Sequence, residues 1–319
     1  MPKSSKTDPD AIRAVLRRVL IYGVLLALAL GGTIIGFSHL RRHVAELAVP
    51  DSVPRVTMIN CPLWMPDRLA EQIISSVQPR QSRSALDQEL LKEISATLSA
   101  NPWVKRVAQV RRVYGKSAGD TIEINCEYRA PMAMVAIPKT RTQRHPWTED
   151  NIRQYILVDS DGTRLPDPPG VRLPDIMLSD GKVNLRIIEG VAAEPPAKPG
   201  QAWAGADLRG GLDLAGLLYG KDYTEEIHRV DVSNFAGRKN AREPQLVLVT
   251  KSRSTIYWGE PVNVSFHAEL TPAEKLQFLA NNRRKYGQVD AKHSWLDIRF
   301  EGGRYPAEER PIASTGFQD

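Results

Sequence analysis

The stretch NPWVKRVAQVRRVYGKSAGDTIEINCEY, residues 101–128, contains the pattern that decides the fold of the first half of the chain. In its last eight residues, Ile122, Ile124, Cys126 and Tyr128 alternate with polar residues. A period of two is typical of a strand with one buried face, so this segment is predicted as a half-buried strand. The segment WVKRVAQVRRVY is predicted as the preceding strand, and GKSAGD between the two has the composition of a hairpin loop.

The loop also fits two catalytic motifs. Residues 115–119, GKSAG, match the G-x-S-x-G pattern of a hydrolase nucleophile elbow, with Ser117 as the nucleophile. An elbow requires a helix after the serine, whereas here a second strand follows. The triplet Gly-Lys-Ser resembles the end of a phosphate-binding P-loop, but that motif requires glycine where Val110 stands. We therefore interpret the segment as a turn, and keep a membrane-anchored serine hydrolase using Ser117 as an alternative function.

Two helices are predicted between a first strand at residues 55–61 and this strand pair. In residues 66–77, apolar side chains recur every four residues after an initial proline. Residues 84–101 begin with an entry like a capping box, and apolar side chains again recur every four residues. The order strand, helix, helix, strand, strand predicts a small α+β domain over residues 51–136.

An apolar segment lies near the N-terminus. VLIYGVLLALALGGTIIGF, Val19 to Phe37, contains no charged residue, and a helix of this length spans about 30 Å, the thickness of the hydrocarbon core of a bilayer. We therefore predict a transmembrane helix over residues 19–40. The alternative is a cleaved signal peptide, whose apolar core runs only about 7–15 residues. More Lys and Arg side chains precede the span than closely follow it. This predicts a single-pass protein of the cytoplasmic (inner) membrane with a cytoplasmic tail at residues 1–18 and the bulk of the chain outside the cytoplasm.

The second half of the sequence is predicted to form a mainly antiparallel β domain with one or two helices over residues 150–305. A tail follows at residues 306–319. Strand-like runs include VNVSFHA and the closing SWLDIRF, while residues 166–205 are rich in Pro and Gly, with AAEPPAKPG predicted as a loop or linker. DLRGGLDLAGLLYG is a candidate helix weakened by its glycines. TPAEKLQFLANNRRKYG is predicted as a helix with a capping box at its start and a glycine past its end. The predicted fold class is α+β.

No residue pattern indicates catalysis or metal binding. The six histidines show no H-E-x-x-H or other metal-ligand spacing, and the Asp and Glu residues are scattered over predicted surfaces. The formal charge of +6 arises partly from basic residues before the span, and beyond it Arg and Lys mix with Asp and Glu. The sequence thus predicts no enzyme activity, no metal, no cofactor, no small-molecule substrate and no nucleic-acid partner.

Two cysteines and one tryptophan allow alternative interpretations. Cys61 and Cys126 are too few for a disulfide framework. One bridge would suit an oxidising compartment, while two separate buried side chains are the favoured interpretation. Trp103, directly after a proline, is predicted as a core anchor at the start of its strand, in preference to a stacking platform for a ligand.

The order of these segments resembles that of the FtsQ/DivIB family of cell-division proteins, and the resemblance covers residues 12–305. Relative to the family pattern, EPVNVSFHAELTP, residues 260–272, is an insertion, and the hairpin loop lacks the usual Pro-x-Thr turn. The segments that carry the resemblance are Pro102–Val104, Val110–Arg111, Thr121–Ile124, Glu127–Ala133, ILVDSDGTRLP (156–166), YWG (257–259), EKLQFL (274–279) and WLDIRF (295–300).

The resemblance implies a POTRA domain at residues 51–136 and a non-enzymatic, membrane-anchored scaffold of the bacterial division complex. The implied partners are other division proteins, including small bitopic membrane proteins, and the bilayer itself through the span. In the family, the last strand and the residues just after it engage such a partner. Carried over to this chain, that role falls to Arg299, Phe300, Gly302 and Tyr305.

The residue pattern of the last strand also makes it the candidate docking element of the second domain, and the family resemblance favours that role. A strand over 295–300 would bury Leu296, Ile298 and Phe300 and turn Trp295 and Arg299 outward. A free sheet edge accepts a partner strand through main-chain hydrogen bonds, so this strand is the predicted partner-binding element. Two alternatives remain: a closing strand that is paired on both sides, and a POTRA-type adaptor in envelope protein assembly or secretion.

Overall fold

The computed structural model describes residues 9–47, 53–84, 87–113, 121–139, 152–167, 185–264 and 268–306. The predicted turn at residues 115–120 lies outside these ranges, as does nearly all of the predicted C-terminal tail. The described helices are α1 (Pro9–Leu47), α2 (Asp67–Val77), α3 (Gln88–Ser99), α4 (Ala206–Leu218) and α5 (Pro272–Tyr286). Short 3₁₀ helices lie at Thr224–Glu226 and Phe235–Gly237. The described strands are β1 (Arg55–Met58), β2 (Val104–Val113), β3 (Thr121–Tyr128), β4 (Pro131–Pro138), β5 (Ile152–Asp159), β6 (Arg186–Glu189), β7 (Ile227–Asp231), β8 (Leu246–Thr250), β9 (Thr255–Gly259) and β10 (Trp295–Asp297).

The N-terminal helix α1 contains an apolar segment that is long enough to cross a membrane. Leu20–His43 has a mean hydropathy of 2.2, and none of this window is buried inside the protein. Large apolar side chains such as Leu26 and Phe37 are therefore exposed along it. Continuous exposed apolar surface of this kind is unfavourable in water and is compatible with a single membrane span. The orientation of the span stays a prediction.

The first sheet confirms the alternation that the sequence shows. In the described part of the chain it has the strand order β1-β3-β2, with β1 parallel to β3. Ile122, Ile124, Cys126 and Tyr128 are buried along β3, as the period of two predicts. Strand β1 ends at Met58, short of the predicted end at residue 61.

Helices α2 and α3 form where the apolar repeats predict them. The buried residues Leu69 and Ile73 lie on α2, and Leu90 and Ile94 lie on α3. Asp87 caps α3, because its Oδ1 accepts from the N–H of Glu89 at 2.9 Å and from that of Leu90 at 3.3 Å. A carboxylate at this position satisfies N–H groups that have no partner within the helix.

The larger sheet is mixed, which corrects the prediction of a mainly antiparallel one. Its seven described strands have the order β10-β9-β8-β7-β6-β4-β5. The pairs β4–β5, β7–β8 and β8–β9 are antiparallel, while β4–β6, β6–β7 and β9–β10 are parallel. Helix α4 connects β6 to β7, and α5 connects β9 to β10. A crossover through a helix returns the chain in its original direction, so the joined strands pair in parallel.

Two strands of this sheet were not predicted as parts of it. Strand β4 lies mostly within the range assigned to the first domain, yet it pairs with β5 and β6 of the larger sheet. Strand β6 lies within the Pro- and Gly-rich residues 166–205, where no strand was predicted, and each of its four residues is buried. Conversely, Val262–Val264, predicted as part of a strand, forms a turn in which the Val264 N–H donates to the Pro261 carbonyl at 3.0 Å.

One hydrophobic core joins the larger sheet to α4 and α5. It includes Leu208, Leu212, Ile256, Trp258 and Leu279, all nearly inaccessible to solvent. The glycines of α4 are explained by close packing: a Cβ on Gly210 would lie 2.7 Å from the Phe235 ring, and one on Gly211 would lie 3.0 Å from Ile188. Tertiary contact thus outweighs the low helix propensity of these glycines.

Contacts between residues divide the chain into two compact units. The first comprises Met1–Ile59, Ser76–Ala96 and Gln109–Asn125, and the second comprises Asn60–Ser75, Thr97–Ala108 and Cys126–Asp319. Within the second unit, Arg129 Nη1 donates to Asp159 Oδ2 at 2.6 Å, and the N–H of Thr163 donates to Asp159 Oδ1 at 2.7 Å. This buried carboxylate fixes the turn after β5. The candidate site lies entirely within the second unit.

Candidate partner-binding edge

Strand β10 lies at an edge of the larger sheet. Its pairing with β9 places Trp295 opposite Thr255 and Asp297 opposite Tyr257. On that side, the Thr255 N–H donates to the Ser294 carbonyl at 2.9 Å, and the Ile298 N–H donates to the Tyr257 carbonyl at 3.3 Å. The main-chain groups of Trp295 and Asp297 consequently point away from β9, toward the outer side of the sheet.

The predicted burial pattern of this strand is correct for its aliphatic residues. Leu296 and Ile298 are fully buried in the core. Phe300, predicted to point inward, is only half-buried, because the regular strand ends at Asp297 and the chain turns back. Two guanidinium groups lie over the Phe300 ring, with Arg299 Cζ 5.2 Å and Arg304 Cζ 5.0 Å from its centroid.

After Phe300 the chain folds back along the outer side of β10. Asp297 and Arg304 form an antiparallel bridge, in which the Asp297 N–H donates to the Arg304 carbonyl at 3.0 Å and the Arg304 N–H returns a bond at 2.9 Å. Gly302 and Gly303, with φ of 76° and 63°, make the turn in the left-handed region that favours glycine. We call residues 300–306 the return segment.

The side chain of Arg299 is already paired within the protein. Its Nε and Nη2 donate to the two carboxylate oxygens of Asp297 at 3.0 Å and 2.8 Å. The hydrogen bond and the charge of Asp297 raise the pKa of Arg299. A two-point bond of this kind fixes the plane of the guanidinium group, and the Arg299 side chain is only 18% exposed.

Aromatic rings flank this edge at both ends. The Trp295 ring lies beside Tyr257, with centroids 6.0 Å apart, and the Tyr305 ring lies 4.7 Å from that of His293. Tyr305 is partly buried against the core, and this burial raises its pKa. The structure therefore brings the five sequence-predicted residues, Trp295, Arg299, Phe300, Gly302 and Tyr305, into one strand and the turn that follows it.

The sequence did not predict a buried ion pair that lies next to the end of β10. Lys275 Nζ lies 2.7 Å from Glu269 Oε2, and the side chains are 3% and 9% exposed. Lys275 Nζ also lies 5.3 Å from the centre of the Trp258 ring. Next to Glu269, the Leu270 N–H donates to the Arg299 carbonyl at 2.7 Å, so the end of the segment predicted as an insertion is tied to the end of β10.

The sequence did contain a signal for Lys275. Lys275, Leu279 and Asn282 are the buried residues of α5, and they recur at the spacing of one helix face. A search for apolar stripes omits this face, because two of its three buried residues are polar. Burial lowers the pKa of Lys275, and the Glu269 carboxylate opposes that shift.

Other candidates from the sequence are placed as follows. Ser117 lies outside the residues that the structure describes. Cys126 is buried, as predicted, whereas Cys61 is exposed in the loop after β1, and the two are not bonded to each other. Burial raises the pKa of the Cys126 thiol. Trp103 is 4% exposed and lies beside Trp64, which confirms its prediction as a core residue.

A concave surface of the larger sheet lies where β4, β6 and β7 end. This crevice of about 550 Å³ is lined in part by Arg153, Gly190 and Arg238. Arg238, one of the cations that line it, already donates to Asp207 Oδ2 at 2.7 Å and to the carbonyl of Gly190. Its donors are therefore used by the fold. Among the described residues, no group of three or more His, Cys, Asp or Glu side chains has the arrangement of a metal site.

Comparisons with known proteins add no identification. No protein-family model matches the chain, and no curated protein matches its sequence.

Proposed function

We propose that this chain is a non-enzymatic, membrane-anchored scaffold of the bacterial cell-division complex, which binds a partner division protein by strand addition at β10. The observation that carries the proposal is the edge position of β10. Its outer side presents the N–H and C=O of Trp295, and no described residue hydrogen-bonds either group on that side. An unpaired strand edge is a template for another strand.

Strand addition explains why these residue types surround the edge. Main-chain hydrogen bonds would supply affinity, and side chains on alternate positions would supply specificity. Trp295 offers a large and rigid contact surface, while the Arg299–Asp297 ion pair, with side chains 18% and 6% exposed, fixes the chain just after the strand. We assign partner contacts to Trp295, Arg299, Phe300, Gly302 and Tyr305, and expect the partner to be a small bitopic membrane protein.

The order of elements supports a POTRA-like domain in the same scaffold. The described elements run β1, α2, α3, β2, β3, and the sheet order is β1-β3-β2. This is the β-α-α-β-β succession expected for residues 51–136. In the proposal, α1 anchors the chain in the inner membrane with its N-terminus in the cytoplasm, so both sheets lie outside the cytoplasm.

Photo-crosslinking in living cells tests the proposed function. A photo-reactive amino acid replaces Trp295 or Phe300 in the full chain, and the matched control replaces Tyr219, an aromatic residue that is 68% exposed and lies away from the edge strand in sequence. We expect products with a small single-span protein at 295 and 300, and none at 219.

Three outcomes contradict this proposal. Equal products at all three positions would indicate non-specific contact. A product of twice the mass of the chain would identify a second copy as the occupant of the edge. Capture of an outer-membrane barrel component would favour the adaptor in envelope assembly.

A further inference from the structure

We propose that the return segment, residues 300–306, is a resident strand that covers Asp297 on the outer edge of β10, and that the partner strand must displace the pairing of Arg304 with Asp297. This inference rests on the proposed function and concerns the regulation of the same site. Its basis is the Asp297–Arg304 bridge, because both outer hydrogen-bonding groups of Asp297 are already used by the chain itself. A partner strand that extends from Trp295 past Asp297 needs these same two groups.

The pairing of the resident strand with β10 is limited by a proline. An antiparallel strand that bonds Asp297 through Arg304 would next bond Trp295 through Pro306. Proline has no N–H, so it cannot donate to the Trp295 carbonyl. Among the residues that the structure describes, the return segment accordingly makes a single bridge to β10. An incoming strand without proline at that position can make the Trp295 bonds and the Asp297 bonds together, whereas the resident makes only the Asp297 bonds.

The resident strand is nevertheless held in a defined place. A Cβ on Gly303 would lie 2.6 Å from Phe278 Cζ, so the turn packs directly on α5. The Phe300 ring contacts the guanidinium groups of Arg299 and Arg304, and Tyr305 packs on His293. A covered edge is protected from non-specific pairing with other chains. The partner that fits is an extended segment, antiparallel to β10, with a residue other than proline opposite Trp295.

Two glycines provide a matched pair of variants that test whether the segment can be loosened. Gly303→Asn and Gly302→Asn introduce the same side chain at neighbouring positions with positive φ, which Asn tolerates better than most residues. At 303 the new Cβ meets Phe278, whereas at 302 nothing lies within 4 Å. We expect hydrogen exchange at the Asp297 and Arg304 amides of the full chain to rise about tenfold or more in Gly303→Asn. In Gly302→Asn it should stay close to the wild-type rate, and equal exchange in the two variants would overturn the assignment of the turn.

Crosslinking at position 295 then tests displacement itself. We expect the yield of the partner product to be several-fold higher in Gly303→Asn than in the wild type, because the competitor has been loosened. An unchanged or lower yield overturns displacement while the proposed function stands. No product in the wild type or in either variant overturns the proposed function, and this inference with it.

A second pair of variants covers the case in which Gly303→Asn does not fold. Arg304→Pro removes the N–H that donates to the Asp297 carbonyl, and Arg304→Ala keeps it while removing the same guanidinium group. A higher crosslinking yield in Arg304→Pro than in Arg304→Ala supports displacement. Equal yields in these two variants contradict it.

Discussion

Replacing Lys275 with Met will lower the free energy of unfolding by about 3–5 kcal/mol, because the change leaves the Glu269 carboxylate buried without its cation. The two side chains lie 2.7 Å apart and are almost inaccessible to water. Glu269 Oε2 also accepts from the Glu260 N–H at 3.2 Å, so the carboxylate cannot turn away without breaking a second bond. Urea denaturation of the full chain, followed by tryptophan fluorescence, measures the loss.

The matched control for this prediction is the double variant Lys275→Met with Glu269→Gln. It removes both charges, while the Gln side-chain carbonyl still accepts from the Glu260 N–H. Replacing a whole buried ion pair by uncharged groups is often nearly neutral, so we expect the double variant to recover most of the lost stability. A double variant that is less stable than Lys275→Met would contradict the buried-charge explanation.

The same variant should loosen the candidate edge. Leu270 follows Glu269 directly, and its N–H donates to the Arg299 carbonyl. When the ion pair is lost, Glu269 is no longer held in place, so the neighbouring Leu270–Arg299 hydrogen bond is weakened. The stability of the fold and the position of the partner-binding residues are thus coupled through α5.

The free energy of unfolding will also fall as pH decreases from about 6.5 to about 4, owing to His228. Burial lowers the pKa of His228 to about 4, and the positive charges of Arg229, Lys251 and Arg186 act in the same direction. In the unfolded chain the imidazole takes up its proton near pH 6.5, whereas in the folded chain it stays neutral until about pH 4. The unfolded state therefore binds more protons in this window, and stability decreases there by at most about 3 kcal/mol.

His228→Gln isolates this contribution, because it removes the titrating group and keeps a neutral polar side chain. We expect the stability of the variant to depend less on pH between about 6.5 and 4 than that of the wild type. Denaturation curves at several pH values give the difference in stability between the wild type and the variant. The contributions of the other histidines and of the carboxylates are the same in both proteins and cancel in this difference. Parallel pH profiles for the two proteins would show that His228 does not titrate as the structure implies.

Local patterns predicted the helices and the half-buried strand of the first sheet well. The apolar periodicity and the capping residues that define these elements lie within a few neighbouring residues. The Thr271 side chain accepts from the Glu274 N–H, and Gly287 has φ of 82°, so both ends of α5 are as the sequence predicts. The alternation along β3 likewise predicted which of its side chains are buried. Such patterns need only one apolar face and a standard cap.

Strand partners and strand directions could not be predicted in the same way. Strand β4 pairs with β6, about fifty residues further along the chain, and the short apolar run RIIE of β6 is too brief to show a period. The end of β10 depends on a bridge between Asp297 and Arg304 that no periodicity signals. Which strand lies at an edge is a property of the whole sheet.

The sequence by itself determined the apolar N-terminal segment, the helix faces and caps, the half-buried strand Thr121–Tyr128 and the residues that gather around β10. Only the tertiary structure decided that the larger sheet is mixed, that Lys275 is buried with Glu269, and that the return segment covers Asp297. The physical reason is that a helix face or a strand face is set by neighbouring residues. The pairing of a strand edge or a buried charge is set by whichever distant segment folds against it.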